Sequence, residues 1–245
     1  MIRKTFKYRI FPTNKQKRKL DFFLKECCWL YNYFLDYHKD FYIKNNRTIT
    51  RFELQKLIPE LKKQRQSLND VCGQVLQDTT TRIRDAFGLF FKRIKNKNDH
   101  GYPRYKTEEK YRSITYAQYK NSWRFTKDNK KISLVKIGKI KIKLHRKIEG
   151  IPKTISIKKT LTGKWYATIL CEIEQNINKK EYKKCIGVDV GIHNFATLSD
   201  GNIIKNPEFN CKIKNKLKKA YKKNKINVIR KIHEKISNKR HNFIH

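Results

Sequence analysis

The chain has 245 residues and carries 60 lysines and arginines against 21 aspartates and glutamates, a formal net charge of +39 at pH 7. This charge exceeds what solubility needs and makes a polyanion, above all nucleic acid, the expected partner. Because the sequence contains no apolar stretch of membrane-spanning length and opens with Met-Ile-Arg-Lys, we expect no membrane association and an intracellular location, cytoplasmic and associated with the nucleoid.

The cysteines show no C-x-x-C pair, which argues against a zinc site. All but Cys211 fall in apolar periodic segments, so the spacing favours reduced core residues over metal ligands or disulfides. The six are Cys27, Cys28, Cys72, Cys171, Cys185 and Cys211.

The first third of the chain predicts one strand followed by helices. Residues Thr5 to Phe11 alternate as a strand, and Pro12-Thr13 ends it. A long helix follows, in which apolar residues from Leu20 to His38 recur at three- and four-residue steps. A shorter helix covers Arg51 to Lys63, where Pro59 predicts a kink or break.

A third helix gives the cleanest periodic signal. Ser67 to Asp70 predicts its start, and an apolar stripe runs from Val71 to Ile94. Its other side carries Gln77, Thr81 and Arg84, with Arg93 among the basic residues near its end. Amides and arginine on a helix face can contact base edges, while lysines mostly contact phosphates. An ordinary solvated face explains the same pattern equally well.

Beyond this helix the pattern changes to a linker and then to strands. Gly101-Tyr-Pro-Arg-Tyr-Lys106 places two cations, Arg104 and Lys106, among aromatic rings, a composition suited to a nucleic-acid backbone and stacked bases. Alternation then predicts an antiparallel sheet or small barrel up to Ile173. On one ribbon Ile140, Ile142 and Leu144 oppose a row of cations, which consists of Lys139, Lys141 and Lys143.

Near the end of the chain a single carboxylate, Asp189, lies in an apolar run with Ile186, Val188 and Val190. An unpaired ionised carboxylate in a buried strand is costly unless a cation accompanies it, so the pattern favours a metal ligand. Ser199-Asp200-Gly201 predicts a tight hairpin turn after it. An ordinary buried strand with an acid near its solvent end is the alternative. The lysine-rich tail from Lys212 predicts a helix with a sparse apolar stripe.

Several separated segments together resemble one family, TnpB, the transposon-encoded proteins similar to the ancestors of type V CRISPR effectors. The segments are Phe6-Lys-Tyr-Arg-Ile-Phe-Pro12 with Gln16, Tyr31-Asn-Tyr-Phe34, Val75-Leu-Gln77 with Ala86-Phe and Phe90-Phe91, Gly101 to Lys106, Gly163-Lys-Trp-Tyr166, Gly187-Val-Asp-Val-Gly-Ile192, and Asn238-Lys-Arg240 with Phe243 and His245. They occur in the family's order over nearly the whole chain.

The resemblance implies an α+β fold with three parts. Residues 1–14 plus 105–180 would form a wedge-like antiparallel β-barrel, residues 15–104 an inserted helical recognition bundle, and residues 181–245 the first part of a ribonuclease H-like (RuvC) nuclease domain. The implied partners are a guide RNA from the transposon end and a double-stranded DNA target. The implied cofactor is Mg²⁺ or Mn²⁺. Oligomeric state stays open.

The resemblance also implies site residues. Asp189 matches the family's first catalytic acid, and Gln77 and Ser113 fall where the family contacts the target-adjacent duplex. Combining these with the basic and aromatic residues of the sequence gives the expected nucleic-acid contacts. They are Tyr8, Arg9, Gln77, Thr81, Arg84, Arg93, Arg104, Lys106, Ser113, Lys139, Lys141, Lys143 and Arg146.

The sequence departs from the family where cleavage is concerned. The family's second and third acids and its zinc ribbon fall beyond the position of His245, so we expect a C-terminally truncated protein. Two-metal cleavage needs several carboxylates, which predicts binding without autonomous cleavage. Two alternatives stay open: an active endonuclease completed by another polypeptide or reading frame, and a general basic RNA-binding protein.

Overall fold

The computed structural model describes residues 1–97, 101–174 and 185–244, which form two compact units, Met1–Gln175 and Asn176–His245. The helices of the first unit are α1 (Asn14–Asn45), α2 (Arg51–Gln64) and α3 (Gly73–Lys95). Its strands are β1 (Ile2–Phe11), β2 (Ser113–Tyr116), β3 (Trp123–Phe125), β4 (Lys131–Leu134), β5 (Gly138–Lys143), β6 (Ile151–Lys159) and β7 (Trp165–Ile173). The second unit contains β8 (Val188–Asp189), β9 (Asn194–Leu198), β10 (Ile203–Lys205), α4 (Lys214–Lys222) and α5 (Ile226–Ile244).

The seven strands of the first unit form one antiparallel, barrel-like sheet in the order β2-β6-β7-β1-β5-β4-β3. Strand β1 starts earlier than predicted and pairs with both β5 and β7, so the first strand of the chain lies between strands that follow all three helices. Its Phe6, Tyr8 and Ile10 point into the core. The predicted mixture of helices with an antiparallel barrel is therefore confirmed.

Strands β5, β6 and β7 bury the residues that the alternation predicted. Ile140 and Ile142 of β5, Ile155 and Ile157 of β6, and Ala167 of β7 have at most 5% of their surface exposed. Trp123 and Trp165 are also buried in the core. The period of two along each strand places every second side chain on the same face, so local sequence was sufficient here.

Helix α1 is attached to the barrel at its first turn. Thr13 Oγ1 accepts a hydrogen bond from the Gln16 backbone N–H at 3.3 Å, while Gln16 Oε1 accepts from the Thr13 N–H at 3.0 Å. The Gln16 amide also donates to the carbonyl of Lys139 on β5 at 2.8 Å. This capping box thus begins the helix and fixes it against the sheet.

Helix α2 occupies almost the predicted range, and it continues through Pro59 without ending there. Helix α3 begins later than predicted. Residues Gln66–Asp70 form a separate 3₁₀ turn, and Cys72 is the N-cap of α3. The reason is Val71, whose backbone is extended at φ −85° and ψ 145° while its side chain is fully buried. From Val75 to Phe87 the predicted buried stripe is confirmed.

Two buried polar groups connect the helices. The carboxylate of Glu26 on α1 accepts from Arg65 Nε at 2.6 Å and Nη2 at 2.8 Å and from Ser67 Oγ at 2.9 Å. These hydrogen bonds hold the pKa of Glu26 below its ordinary value, mainly through Arg65. His38 of α1 stacks on Phe87 of α3 with ring centroids 3.5 Å apart.

The second unit contains a three-stranded antiparallel sheet in the order β10-β9-β8. The predicted turn is confirmed: Gly201 has a φ of +87°, and the Asp200 carboxylate accepts from the Asn202 backbone N–H at 3.0 Å. The tail forms two helices where one was predicted, with Asn224 at a φ of +46° between them. Among the described residues of this unit, only Ala196, Ala220 and Ile236 are buried apolar side chains.

The predicted burial of cysteines is confirmed for Cys27, Cys28, Cys72 and Cys171. It is wrong for Cys185, which is exposed, as is Cys211. In the part of the chain that the structure describes, no helix combines the length and apolarity required to cross a membrane.

Candidate nucleic-acid interface

The predicted row of cations on β5 is present on the surface. Lys139, Lys141 and Lys143 are exposed, while Ile140 and Ile142 between them point into the core. None of the three lysines forms an ion pair with a described carboxylate. These lysines occupy every second residue of one strand, so neighbouring ammonium groups are spaced by about 7 Å along the strand. This spacing is of the order of the distance between successive phosphates in an extended nucleic-acid backbone.

The cationic row continues across the sheet because neighbouring strands are in register. Arg9 of β1 lies opposite Lys143 on one side and Tyr166 of β7 on the other, and Tyr166 lies opposite Lys158 of β6. We call this surface the outer barrel face. It consists of Lys7, Arg9, Lys139, Lys141, Lys143, Lys158 and Tyr166.

Sequence reasoning found Arg9 and the three β5 lysines but missed Lys7, Lys158 and Tyr166. For Lys7 the sequence did contain a signal, because Lys7 and Arg9 alternate along β1 with the buried Phe6, Tyr8 and Ile10. The positions of Lys158 and Tyr166 beside Arg9 depend on strand pairing, which the sequence alone does not give.

Arg9 has a donor without a partner in the middle of this face. Its guanidinium carbon lies 5.0 Å from the centroid of the Tyr166 ring and 5.6 Å from that of Phe11. Lys7 Nζ lies 4.7 Å from the same Tyr166 ring. The Nη1 atom of Arg9 is buried and has no hydrogen-bond acceptor among the described residues. A buried N–H without an acceptor is costly, so the sheet holds this guanidinium in place at the expense of one hydrogen bond.

Tyr8, predicted as a nucleic-acid contact, requires a correction. Its side chain is fully buried, and burial raises the pKa of its hydroxyl. The hydroxyl donates to the carbonyl of Arg146 at 3.1 Å. Tyr8 therefore positions the loop after β5 from inside the barrel, whereas the Arg146 side chain is exposed, with its guanidinium 5.1 Å from the Phe6 ring centroid.

The polar side of α3 presents most of the residues predicted there. Gln77, Arg84 and Arg93 are exposed, and Thr81 is half-buried. Arg84 Nη2 lies 2.6 Å from a carboxylate oxygen of Asp85, so a nucleic acid reaching Arg84 competes with this exposed ion pair. Exposed pairs of this kind are weak and dissociate easily.

Arg82, which sequence reasoning missed, connects α3 to β2. Its guanidinium donates to Asp78 at 2.7 Å, to the hydroxyl of Ser113 at 3.1 Å and to that of Thr115 at 3.2 Å. The predicted contact Ser113 is thus half-buried and already accepts one hydrogen bond. The spacing of Asp78 and Arg82, four residues apart on a helix, was the signal available for this ion pair.

The two cations of the Gly101–Lys106 segment differ in their exposure to solvent. Arg104 is exposed as predicted. Lys106 points inward, with Nζ 4.1 Å from the centroid of Tyr31, and burial lowers its pKa. Asn32 accepts from the Lys106 N–H and donates to its carbonyl, both at 2.9 Å. Lys106 is thus half-buried against the Tyr31 ring, and its role as a nucleic-acid contact stays a prediction.

The environment predicted for Asp189 is also wrong. Among the described residues strand β8 pairs with β9 alone, at the edge of the sheet, and Asp189 is exposed. The apolar residues beside it are exposed as well, Val188 by 60% and Val190 by 70%. The run was predicted to be buried because it is apolar, but within the described residues nothing covers it.

The described residues do not fit a metal centre. No group of three or more histidine, cysteine, aspartate or glutamate side chains among them could hold a metal ion. Two-metal phosphodiester cleavage needs several converging carboxylates, so Asp189 supplies at most one ligand to Mg²⁺ or Mn²⁺. We derive no cleavage step from these residues.

Comparisons with known proteins agree with the resemblance seen in the sequence. Residues 1–47, which contain β1 and α1, match a family model described as a helix-turn-helix domain, of the OrfB type of IS605 elements. A candidate RNA-guided DNA endonuclease of Streptomyces pristinaespiralis is 28% identical over 100% of this chain and 63% of its own length. The candidate RNA-guided DNA endonuclease InsQ of Escherichia coli K12 is 24% identical over 98% of this chain and 61% of its own length.

A solved structure, the cryo-EM structure of a Cas12f1–sgRNA–target DNA complex, aligns with a TM-score of 0.44 and 16% identity over 100% of this chain and 67% of that chain. The chain spans somewhat less than two thirds of the length of the two curated relatives. The ordered motifs, the matching domain model and the two full-chain sequence similarities together support the resemblance to the TnpB family of transposon-encoded proteins.

Proposed function

We propose that this chain holds a guide RNA and a DNA target, as its relatives' description as RNA-guided DNA endonucleases suggests. The observation that carries the proposal is the outer barrel face, where cations from β1, β5 and β6 lie around Tyr166 of β7. Contacts of this type bind a phosphate backbone whatever its sequence.

The proposed division of labour follows the three parts expected from the resemblance. The barrel, residues 1–14 plus 105–180, binds RNA. The helical part, residues 15–104, contacts duplex DNA through the exposed side of α3, where Gln77 can hydrogen-bond base edges and Arg93 can contact phosphate. Residues 181–245 provide the nuclease-type strand with Asp189.

We infer that this chain binds without cutting by itself. Asp189 would be a metal ligand only together with carboxylates that are not found near it among the described residues. Incubating the purified chain with Mg²⁺ or Mn²⁺, its guide RNA and a matched duplex is expected to leave the DNA intact. Cleavage that Asp189→Ala abolishes would overturn this inference.

The binding proposal is tested by the salt dependence of affinity. The triple variant Lys139→Gln, Lys141→Gln, Lys143→Gln removes three charges from the outer barrel face. The matched control, Lys39→Gln, Lys44→Gln, Lys56→Gln, removes three exposed charges from α1 and α2. Each phosphate contact contributes about 0.7 to the slope of log affinity against log salt for a single strand and about 0.9 for a duplex. We expect the β5 variant to lose roughly 2 to 3 units of slope for RNA and the control to keep its slope.

Equal losses of slope in both variants would show that binding follows net charge alone and would refute a defined interface. Sequencing the RNA that copurifies with the chain addresses specificity. One discrete transcript supports guide binding, while a mixture dominated by ribosomal RNA supports the alternative of a general basic RNA-binding protein.

A further inference from the structure

The barrel carries a cavity beside the end of β5 that the proposed backbone contacts do not use. Its volume is about 550 Å³, within the range of roughly 300–1,000 Å³ typical of ligand pockets. One wall is the loop after β5, with Leu144, Arg146, Lys147 and Ile148. The rest of the lining includes Phe125 of β3 and Asn129 of the turn that follows it.

Both parts of the lining are held in place by contacts outside the cavity. The Tyr8 hydroxyl donates to the Arg146 carbonyl from inside the barrel, and Lys4 of β1 adds an exposed, weak ion pair with Glu149 at 2.6 Å. Gly150 closes the loop at a φ of +80°, where a Cβ atom would lie 2.4 Å from the carbonyl oxygen of Glu172. Only glycine fits this position without displacing backbone.

Phe125 and the turn after it are also held in place by contacts with neighbouring residues. Phe125 packs edge-on against Trp123 and Tyr119, with ring centroids 5.7 and 6.4 Å apart. Thr126 Oγ1 donates within the turn to the Asp128 carboxylate at 2.5 Å, and the Lys130 backbone N–H donates to the same oxygen at 3.2 Å. The cavity is therefore formed before any ligand arrives, which reduces the ordering cost of binding.

The cavity lining is apolar in one part and cationic in another. Phe125, Leu144, Ile148 and Pro152 supply apolar surface, and Phe125, Leu144 and Ile148 are only partly covered by the rest of the core. Arg146 and Lys147 at the rim are exposed cations without an ion pair to a described residue. The nearby carboxylate of Glu149 is already paired with Lys4. Such a site suits a planar apolar group that carries an anion.

We propose that this cavity takes one unstacked nucleotide of a bound single strand, with the base against Phe125 and the adjoining phosphate near Arg146 or Lys147. The proposal rests on the proposed nucleic-acid binding and adds a site for a base to it. Arg146 and Lys147 of the lining follow Lys143 within four residues, so the cations of β5 continue along the chain into the loop that lines the cavity. RNA and displaced DNA share this chemistry.

The direct test is photo-crosslinking of the full chain to single strands that carry 5-iodouridine or 5-iododeoxyuridine at each position in turn. We expect one position to crosslink to Phe125 or to the 144–148 loop, identified by mass spectrometry of the peptides. A higher yield with RNA than with DNA of the same sequence assigns the site to RNA, and the reverse assigns it to DNA.

The variant Phe125→Leu tests the contribution of the ring, with Phe52→Leu, an exposed ring on α2, as its control. Loss of one base–aromatic stack is worth roughly 1–3 kcal/mol, so we expect affinity for the strand to fall about 5- to 150-fold in Phe125→Leu and to stay unchanged in the control. Lys147→Gln, in an exposed loop, gives a second variant without risk to the core.

The outcomes separate the two proposals. If the wild-type chain shows no salt-dependent binding, the proposed function fails. If it binds with the full salt slope but every crosslink maps away from Phe125 and the 144–148 loop, only the nucleotide pocket is refuted. The crosslinking result on the wild-type chain does not depend on whether a variant folds.

Discussion

The two units of this chain differ in how far their apolar residues are buried. In the first unit the strands and helices share one buried cluster that runs from Phe6 to Cys171. In the second unit, Ile186, Val188, Val190 and Ile192 are all more than half exposed. Because burial of apolar surface is the main favourable contribution to folding, the comparison teaches that the first unit carries the stability of the described structure.

Hydrogen exchange gives the largest expected difference between the units. With bound nucleic acid removed, amides of β1 and β7 should exchange only through global unfolding, while amides of α5 should exchange through local opening. We expect the strand amides to be slower by at least about a thousandfold, as measured by mass spectrometry or NMR. Strong protection across Leu217 to Ile236 would break the comparison.

The same contrast explains which features the sequence could predict. The alternation of Ile140, Lys141, Ile142 and Lys143 is a local property of an extended strand with one buried face, so it was read correctly. The run around Asp189 looked equally buried, yet whether an apolar strand is covered depends on its neighbours in space. Apolar composition predicts a tendency to be buried, and the fold decides whether it is.

Side-chain direction within a correctly located segment was also beyond the sequence. Lys106 and Arg104 are two residues apart in the same segment, but only Lys106 meets the ring of Tyr31 on another element. Tyr8 was predicted as a contact from its motif, although its alternation with Phe6 and Ile10 already indicated the buried face. The role of Arg82 was not predicted, because its partners Ser113 and Thr115 lie more than thirty residues away in the sequence.

Matched core truncations test the comparison at single residues. Ile169→Ala on β7 removes a fully buried side chain from the first unit and should lower the free energy of unfolding by about 2–5 kcal/mol. Ile236→Ala on α5 removes the same atoms from the second unit, where only a few of the described apolar side chains are buried. We expect it to change the main urea transition by less than about 0.5 kcal/mol. Equal shifts in the two variants would mean that both units unfold as one.

The buried carboxylate of Glu26 gives a smaller effect. Glu26→Gln leaves Arg65 without its charged partner, and hydrogen bonds to charged groups are worth about 1.5–3 kcal/mol, so we expect a loss of that order at pH 7. The control, Glu60→Gln, removes the exposed partner of Lys63 and should cost less than about 0.5 kcal/mol.

The pH dependence of the Glu26 contribution has a definite sign. Because the folded pKa of Glu26 lies below its ordinary value near 4.5, its stabilisation is complete above that value and is lost as pH falls through the folded pKa. Urea midpoints measured from pH 6 to pH 3 should therefore converge for the wild type and Glu26→Gln at the acid end. If the difference between the two urea midpoints stayed constant with pH, the effect of the substitution would not come from the ionisation of the carboxylate.

His38 should give the smallest effect, again confined to the first unit. Burial lowers the pKa of His38, which stacks on Phe87, and its Nδ1 has no hydrogen-bond partner among the described residues. Below the ordinary histidine pKa near 6.5 the unfolded chain takes up a proton that the folded chain does not. Stability should then fall by up to about 1.4 kcal/mol per pH unit until the folded pKa is reached, and His38 should have no effect on the slope at higher pH.

Replacing His38 by leucine should remove this part of the slope between pH 7 and pH 5, because leucine fills a similar volume and binds no proton. His193→Gln, an exposed position in the second unit, is the matched control and should leave the slope as in the wild type. Urea midpoints at half-unit pH steps measure both. A slope that survives in His38→Leu and disappears in His193→Gln would place acid sensitivity in the second unit, which the distribution of buried groups described above does not allow.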